Sequence, residues 1–252
     1  MAYASMTFWL LVIVLTAWGV HHLWSGMIKP RVVNSILLPG TLIAQLGRVL
    51  ALLVTGGTVN NTTLIKDDET GEPSAEPDPK PKIPVVGPVL VGLLPLAACG
   101  ALLAVTAGFW GRPIIEPVAT ASPAAVSPSL PTTLHGGFDT VRHAISLVEA
   151  TLGAILDAEW RDWTTWAFLY LAICLTVRMA PLPGNLRGSL GAILLVGVVA
   201  ALVGTVAGAD PAAYDTAWSI LRFAVGVLLL LLIVSLFVRG CVSVVRIVST
   251  GK

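Results

Sequence analysis

The stretch LPGTLIAQLGRVLALLVTGGTVN, residues 38 to 60, sets Gln45 and Arg48 into an otherwise apolar run. Three residues apart, the two share one face of a helix. An arginine near the bilayer centre costs at least about 2.5 kcal/mol even on lenient insertion scales, so it must face a protein or water-lined interior or reach the headgroups. Neither side chain does acid–base or metal chemistry, because a guanidinium stays protonated and an amide cannot take a proton from water. What the pair can do is hydrogen-bond, keeping a polar pocket alive inside an apolar framework.

The other candidates for chemistry are thinly spread. His21 and His22 are neighbours that point about 100° apart on a helix and cannot jointly grip one ion. His135 and His143 stand eight apart across a glycine pair; with Glu149 they are the only set from which a displaced metal site could be drawn. Cys99, Cys174 and Cys241 fall in apolar runs without Cys-x-x-Cys spacing, which suggests small buried hydrophobes and neither zinc nor disulfides. Glu116 stands alone in a proline-rich stretch, and Arg222 could pair with Asp215 or reach phosphates. No Gly-rich phosphate loop and no Ser/His/Asp order is present, so neither cofactor nor metal is expected.

The elements that must position these residues belong to a membrane protein. Of 252 residues, 56% are hydrophobic and 12% charged, with a mean hydropathy of +0.86, far from an ordinary soluble domain. A formal net charge of +1 excludes nucleic acid as a partner, since that would require a basic stripe. The lipid bilayer and membrane or membrane-associated proteins are the expected partners, and the bacterial inner (cytoplasmic) membrane the expected location. Spanning the hydrocarbon takes about 20 apolar residues. Segments 6–24, 85–108, 163–180, 189–208 and 216–238 meet or approach that length; 36–54 does too, but contains Pro39, Gly40, Gln45, Gly47 and Arg48.

The fold class expected is an all-α polytopic membrane protein forming one domain over 1–252, with five to six transmembrane helices, one of them re-entrant. Residues 66–84 and 112–137, rich in proline and small polar residues, read as mobile loops. Residues 57–65 and 82–86 have β-branched content and could pair as a small hairpin after the second helix. Phe138, Val141, Ile145, Val148, Leu152 and Ile155 recur at spacings of three and four, so 138–158 reads as an amphipathic helix in the interface plane. Trp160, Trp163 and Trp166 follow it as an aromatic belt.

Short-loop basic residues set the orientation. Lys29 and Arg31, Arg178 and Arg187, and Arg239, Arg246 and Lys252 form three clusters, whereas the turn holding Asp210 and Asp215 has no base. Placing all three clusters in the cytoplasm creates a parity conflict unless one segment fails to cross. A partly inserted 36–54 resolves it, giving five full spans with the N-terminus outside and the C-terminus inside.

LPGTLIAQLGRVLALLVTGGTV resembles the active-site helix of membrane-embedded zinc metalloproteases of the site-2 protease type, where a run like L-P-G-T-x-x-H-E-x-x-H precedes apolar residues, a glycine and a strand. FLYLAICLTVRMAPLPGNLRGSLGAI, residues 168–193, is similar to the family's later helix and turn carrying an aspartate as third zinc ligand. PKPKIPVVGPVLVGLLPLAACGALL looks like the strand and proline-containing span between them. The resemblance covers about 38 to 193. The family's motif holds zinc with two histidines at i and i+4 and a distant carboxylate, with a glutamate as general base. At those places this chain has Ala44 and Arg48, Asn185, and Gln45. The resemblance therefore implies a pseudoprotease, with Arg48 held near the vacated metal site by Gln45 and Asn185. The alternative for Arg48 is a tilted segment from which it reaches headgroups.

Three functions follow as expectations. The first is a noncatalytic membrane subunit or scaffold that binds partners in or at the membrane. The second is a transporter or channel component, suggested by the spans together with Arg48 and Arg222. The third is an active protease with a displaced ligand set. Gly- and Ala-rich runs such as GAILLVGVVAALVGTVAG are explained by close helix packing.

Overall fold

A computed structural model describes residues 2–56, 61–63, 74–76, 86–121, 126, 134–180, 191, 193–194 and 211–250. Eight α-helices dominate them: α1 (Ala2–Met27), α2 (Pro30–Ile36), α3 (Leu38–Val54), α4 (Val86–Thr106), α5 (Arg112–Ala121), α6 (Leu134–Leu156), α7 (Trp163–Arg178) and α8 (Pro211–Thr250). A π-helical turn, Ala107–Gly111, joins α4 to α5. Three helical stretches are long and apolar enough to cross a membrane: Ser5–Met27, Gly87–Thr120 and Trp218–Val244. The pair α2 and α3 would add a fourth, but it is bent by 79°. The chain is thus a helical protein with three to four candidate spans.

Several expectations need correction. Residues 112–121 are helix α5, not loop: Ile114, Ile115 and Val118 fall at helical spacing and are buried, and α5 packs on α6 and α8. Proline count misled there, because periodicity outweighed it. Helix α6 starts at Leu134, also inside the expected loop. The only strands among the described residues are β1 (Asn61–Thr63) and β2 (Ser74–Glu76), antiparallel with Thr62 opposite Ala75. The second arm was expected at 82–86, but Val86 opens α4 and 82–85 lie outside the described residues. The expected span 163–180 is a 16-residue helix, about 24 Å long, short of the ~30 Å hydrocarbon core. The expected span 189–208 falls almost wholly outside the described residues.

Contacts fix the helix directions. Trp24 Nε1 of α1 donates to Ser235 Oγ of α8 at 2.7 Å. Buried residues of α1 lie before this point, from Ser5 to Leu23, and those of α8 cluster from Trp218 to Leu228, whereas 236–244 are exposed. Only a parallel pair sets buried beside buried. Gly100 of α4 meets Met179 while Gly111 in the π turn receives the ring of Phe168, so α4 is antiparallel to α7. Phe168 also stacks on Phe223 of α8, with ring centroids 5.6 Å apart. Because Gly40 lies against Cys99 and Gly47 against Leu94 and Pro95, α3 is antiparallel to α4. It follows that α1, α3, α7 and α8 point one way and α4 the other. Helix α2 is a sideways step, after which α3 continues in the direction of α1.

The expected amphipathic helix is α6, and its faces are divided. Leu147, Thr151 and Ala154 are buried, with Thr151 and Leu147 set against Gly226 of α8. Phe138, Val141, Ile145 and Leu152 are exposed on the other side. Asp162 caps α7: its carboxylate accepts from the Thr164 hydroxyl at 2.6 Å and from the Thr164 backbone N–H at 3.1 Å. Those two bonds, the hydroxyl's first, hold the Asp162 carboxyl below its ordinary range.

Three outcomes are expected. Gly47→Leu should destabilise the detergent-solubilised protein by at least about 1–3 kcal/mol in thermal unfolding, because a Cβ at Gly47 would already sit 2.7 Å from the Leu94 carbonyl oxygen. Gly26→Ala, with nothing within 4 Å, should leave the melt unchanged. For Asp162→Ala, the stability lost relative to the parent should be constant above about pH 4, the ordinary aspartate range, and shrink as pH falls through the lower value of the folded state. A gap that widens on acidification would refute the cap.

Candidate functional site

The site begins at the break in the helix. Leu37 takes φ −83° and ψ 11°, the bridge region between helix and extended chain, and Pro39 falls in the first turn of α3, where its missing N–H is harmless. The Ile36 carbonyl, left at the junction, accepts from the Tyr170 hydroxyl at 2.8 Å and lies 3.5 Å from Cys174 Sγ. Both donors come from α7. A broken backbone at membrane depth persists only where protein groups replace its lost bonds, and α7 supplies them.

Helix α3 then meets its neighbours through small residues. Gly40, Ala44, Gly47 and Ala51 recur at spacings of four, three and four, and all are buried. A Cβ at Gly40 would collide with the carbonyl of Cys174 in α7, and one at Gly47 with the Leu94–Pro95 backbone in α4. Backbones approach this closely only when side chains are nearly absent.

Against this geometry the four degenerate positions separate. Ala44 is 3% exposed and belongs to the small-residue face. Gln45 is 3% exposed, and neither its amide nitrogen nor its oxygen has a hydrogen-bond partner among the described residues. Arg48 is half-buried and lies eight residues beyond Gly40, about 12 Å further along the helix. Asn185 lies outside the described residues. The expected bond from Gln45 to Arg48 is absent: Gln45 faces the interior, whereas Arg48 keeps contact with the exterior.

The buried cation is another arginine. Arg178, at the last turn of α7, is 7% exposed, and its Nη2 donates to Asn34 Oδ1 in α2 at 2.6 Å. His21 Nε2 of α1 lies 3.5 Å from the same oxygen. The Arg178 stem packs beside Gly40, and Cys99 Sγ of α4 stands 4.0 Å from the Gly40 carbonyl. Five helices thus converge on one polar centre at the step. In the sequence Arg178 passes for a loop charge that reports orientation; in the structure it is buried in the last turn of α7. The signal was available in part, since Met179, Ala180, Pro181 and Leu182 continue the apolar character beyond Arg178. Asn34 had no pattern to mark it.

Zinc of the kind the resemblance implies does not fit these residues. Ala44 has no donor atom, Arg48 keeps its proton, and Gln45 offers at most one neutral amide oxygen. Among the described residues no group of three His, Cys, Asp or Glu side chains could hold a metal. His135, exposed at the start of α6, and His143, half-buried one turn before the packed Leu147, are not joined with Glu149 into such a group. Compared with known proteins, the chain matches no family, curated relative or solved structure.

Removing the acceptor of the buried cation gives the sharpest test of the polar centre. Asn34→Leu should lower stability by about 1.5–3 kcal/mol, the range for a hydrogen bond to a charged group, while Asn34→Asp should retain most of it. Thermal unfolding of the two proteins side by side would decide; equal losses would sink the assignment.

Proposed function

We propose that this chain is a noncatalytic integral membrane subunit or scaffold, built on a site-2-protease-like framework and acting by binding partner proteins in or at the membrane. The observation that carries the reading is the character of α3: where the resemblance calls for two imidazoles and a general base, Ala44 is packed into a small-residue interface, Gln45 is a buried amide, and Arg48 is half exposed. A centre able to activate water needs lone pairs converging on a metal or a proton. These residues supply a methyl, one amide and a guanidinium. The half-exposed position of Arg48 favours its reaching headgroups over its filling a vacated metal pocket.

We further read five crossings, the short apolar helix α7 counted among them, with the N-terminus outside and the C-terminus inside, in a bacterial inner membrane. Support comes from the directions of the helices. Two successive crossings in one direction are impossible without a return, so α3 is not a crossing separate from α1. The shared direction of α7 and α8 supports the expected 189–208 span as the return between them. The basic C-terminal end, with Arg239, Arg246 and Lys252, then faces the cytoplasm.

Metal analysis and affinity purification test the function together. Protein purified without chelator should hold zinc well below one equivalent, and tagged protein should retain specific membrane partners after mild solubilisation. Stoichiometric zinc, or proteolysis that survives purification and disappears with a chelator, would end the pseudoprotease reading.

A further inference from the structure

We infer that a cavity among the π turn, α5, α6 and the start of α7 binds the ammonium head of an alkylamine amphiphile. The cavity measures about 460 Å³, within the range of about 300–1,000 Å³ typical of small-molecule sites. Trp110 and Ile114 form one apolar wall, and Gly153 and Ala154 the other. Asp157, Glu159 and Asp162 border it and are exposed; among the described residues no lysine or arginine lines it. Thr165, 9% exposed, also lines it, and the described residues supply no partner for its hydroxyl.

This division selects a class of ligand. Carboxylates at the border and hydrocarbon on the walls suit a molecule with a cationic head and an apolar chain. An anionic head would be repelled, and a neutral one would gain nothing from the field. Trp110 adds an aromatic face to the apolar wall, held by a ring contact of 6.1 Å with Trp163, and cations bind such faces. The Thr165 hydroxyl can accept an N–H. Trp160, Trp163 and Trp166 stand exposed beside it, the composition of a membrane interface, where amphiphiles are concentrated. The ammonium can belong to a lipid headgroup or to a free alkylamine.

Full-length protein in a nonionic detergent, titrated with hexylammonium chloride in a calorimeter, tests the inference. Saturable binding is expected, with hexanoate showing none. Asp157→Asn combined with Glu159→Gln should weaken binding by about tenfold, as the loss of two partly screened charges implies. Gly153→Leu should abolish it, because a Cβ at Gly153 meets nothing within 4 Å and the side chain can enter the cavity. Thermal melts establish that each variant is folded; should Gly153→Leu fail that check, the charge variants decide. Nanodiscs with and without phosphatidylethanolamine separate the sources, since a lipid occupant competes with hexylammonium and a free amine leaves its affinity equal in both. Absence of saturable binding, equal binding of hexanoate, or unchanged affinity in the folded variants would overturn the assignment.

Discussion

The arrangement depends on how closely α3 approaches α4 and α7. In a bilayer, helices gain little by hiding apolar side chains from one another, because lipid is as apolar as leucine; contact and hydrogen bonding must hold them. Gly40 against the Cys174 carbonyl and Gly47 against Leu94 and Pro95 bring main chains together without intervening side chains, and dispersion summed over such contacts is large. The same closeness limits what position 44 can carry. An alanine one turn beyond Gly40 continues the small face; an imidazole there would require the helices to part or its ring to turn into a pocket.

Close packing also makes the step in the chain tolerable. Helices α1 and α3 run in the same direction, displaced sideways by α2, and the displacement leaves the Ile36 carbonyl without a helical partner. Tyr170 and Cys174 reach it from α7, while Arg178 and His21 gather round Asn34 in α2. A buried guanidinium is a donor group without acceptor capacity. Arg178 finds its acceptor in the Asn34 amide oxygen of α2.

Much of the fold was legible because apolar length and periodicity are strong signals. The spans around 6–24, 85–108 and 216–238 correspond to α1, α4 and α8, and the 3.6-residue period identified α6. The interruption near 36–54 was legible from Pro39 and Gly40, although the 79° angle was not. Helix α5 was hidden by its prolines. The polar centre was hidden for another reason: His21, Asn34 and Arg178 are up to 157 positions apart in the chain, and no spacing rule links residues that meet only through the packing of three helices. Local pattern therefore drew attention to Arg48, the cation with a polar neighbour in sequence, and away from Arg178, the cation with polar neighbours in space.

That exchange of arginines bears on function. A catalytic helix places its working groups where water and substrate arrive, and those groups must change protonation or coordination during a cycle. Arg178 does neither, and its partner Asn34 is a fixed acceptor. Arg178 and His21 meet at Asn34 and tie α7 and α1 to α2, while Tyr170 and Cys174 of α7 reach the Ile36 carbonyl at the break. On the scaffold reading proposed above, the surfaces available to other molecules are the outward faces of α3, α6 and α8, where Leu46, Leu50, Val141, Ile145, Phe237 and Val244 stand exposed.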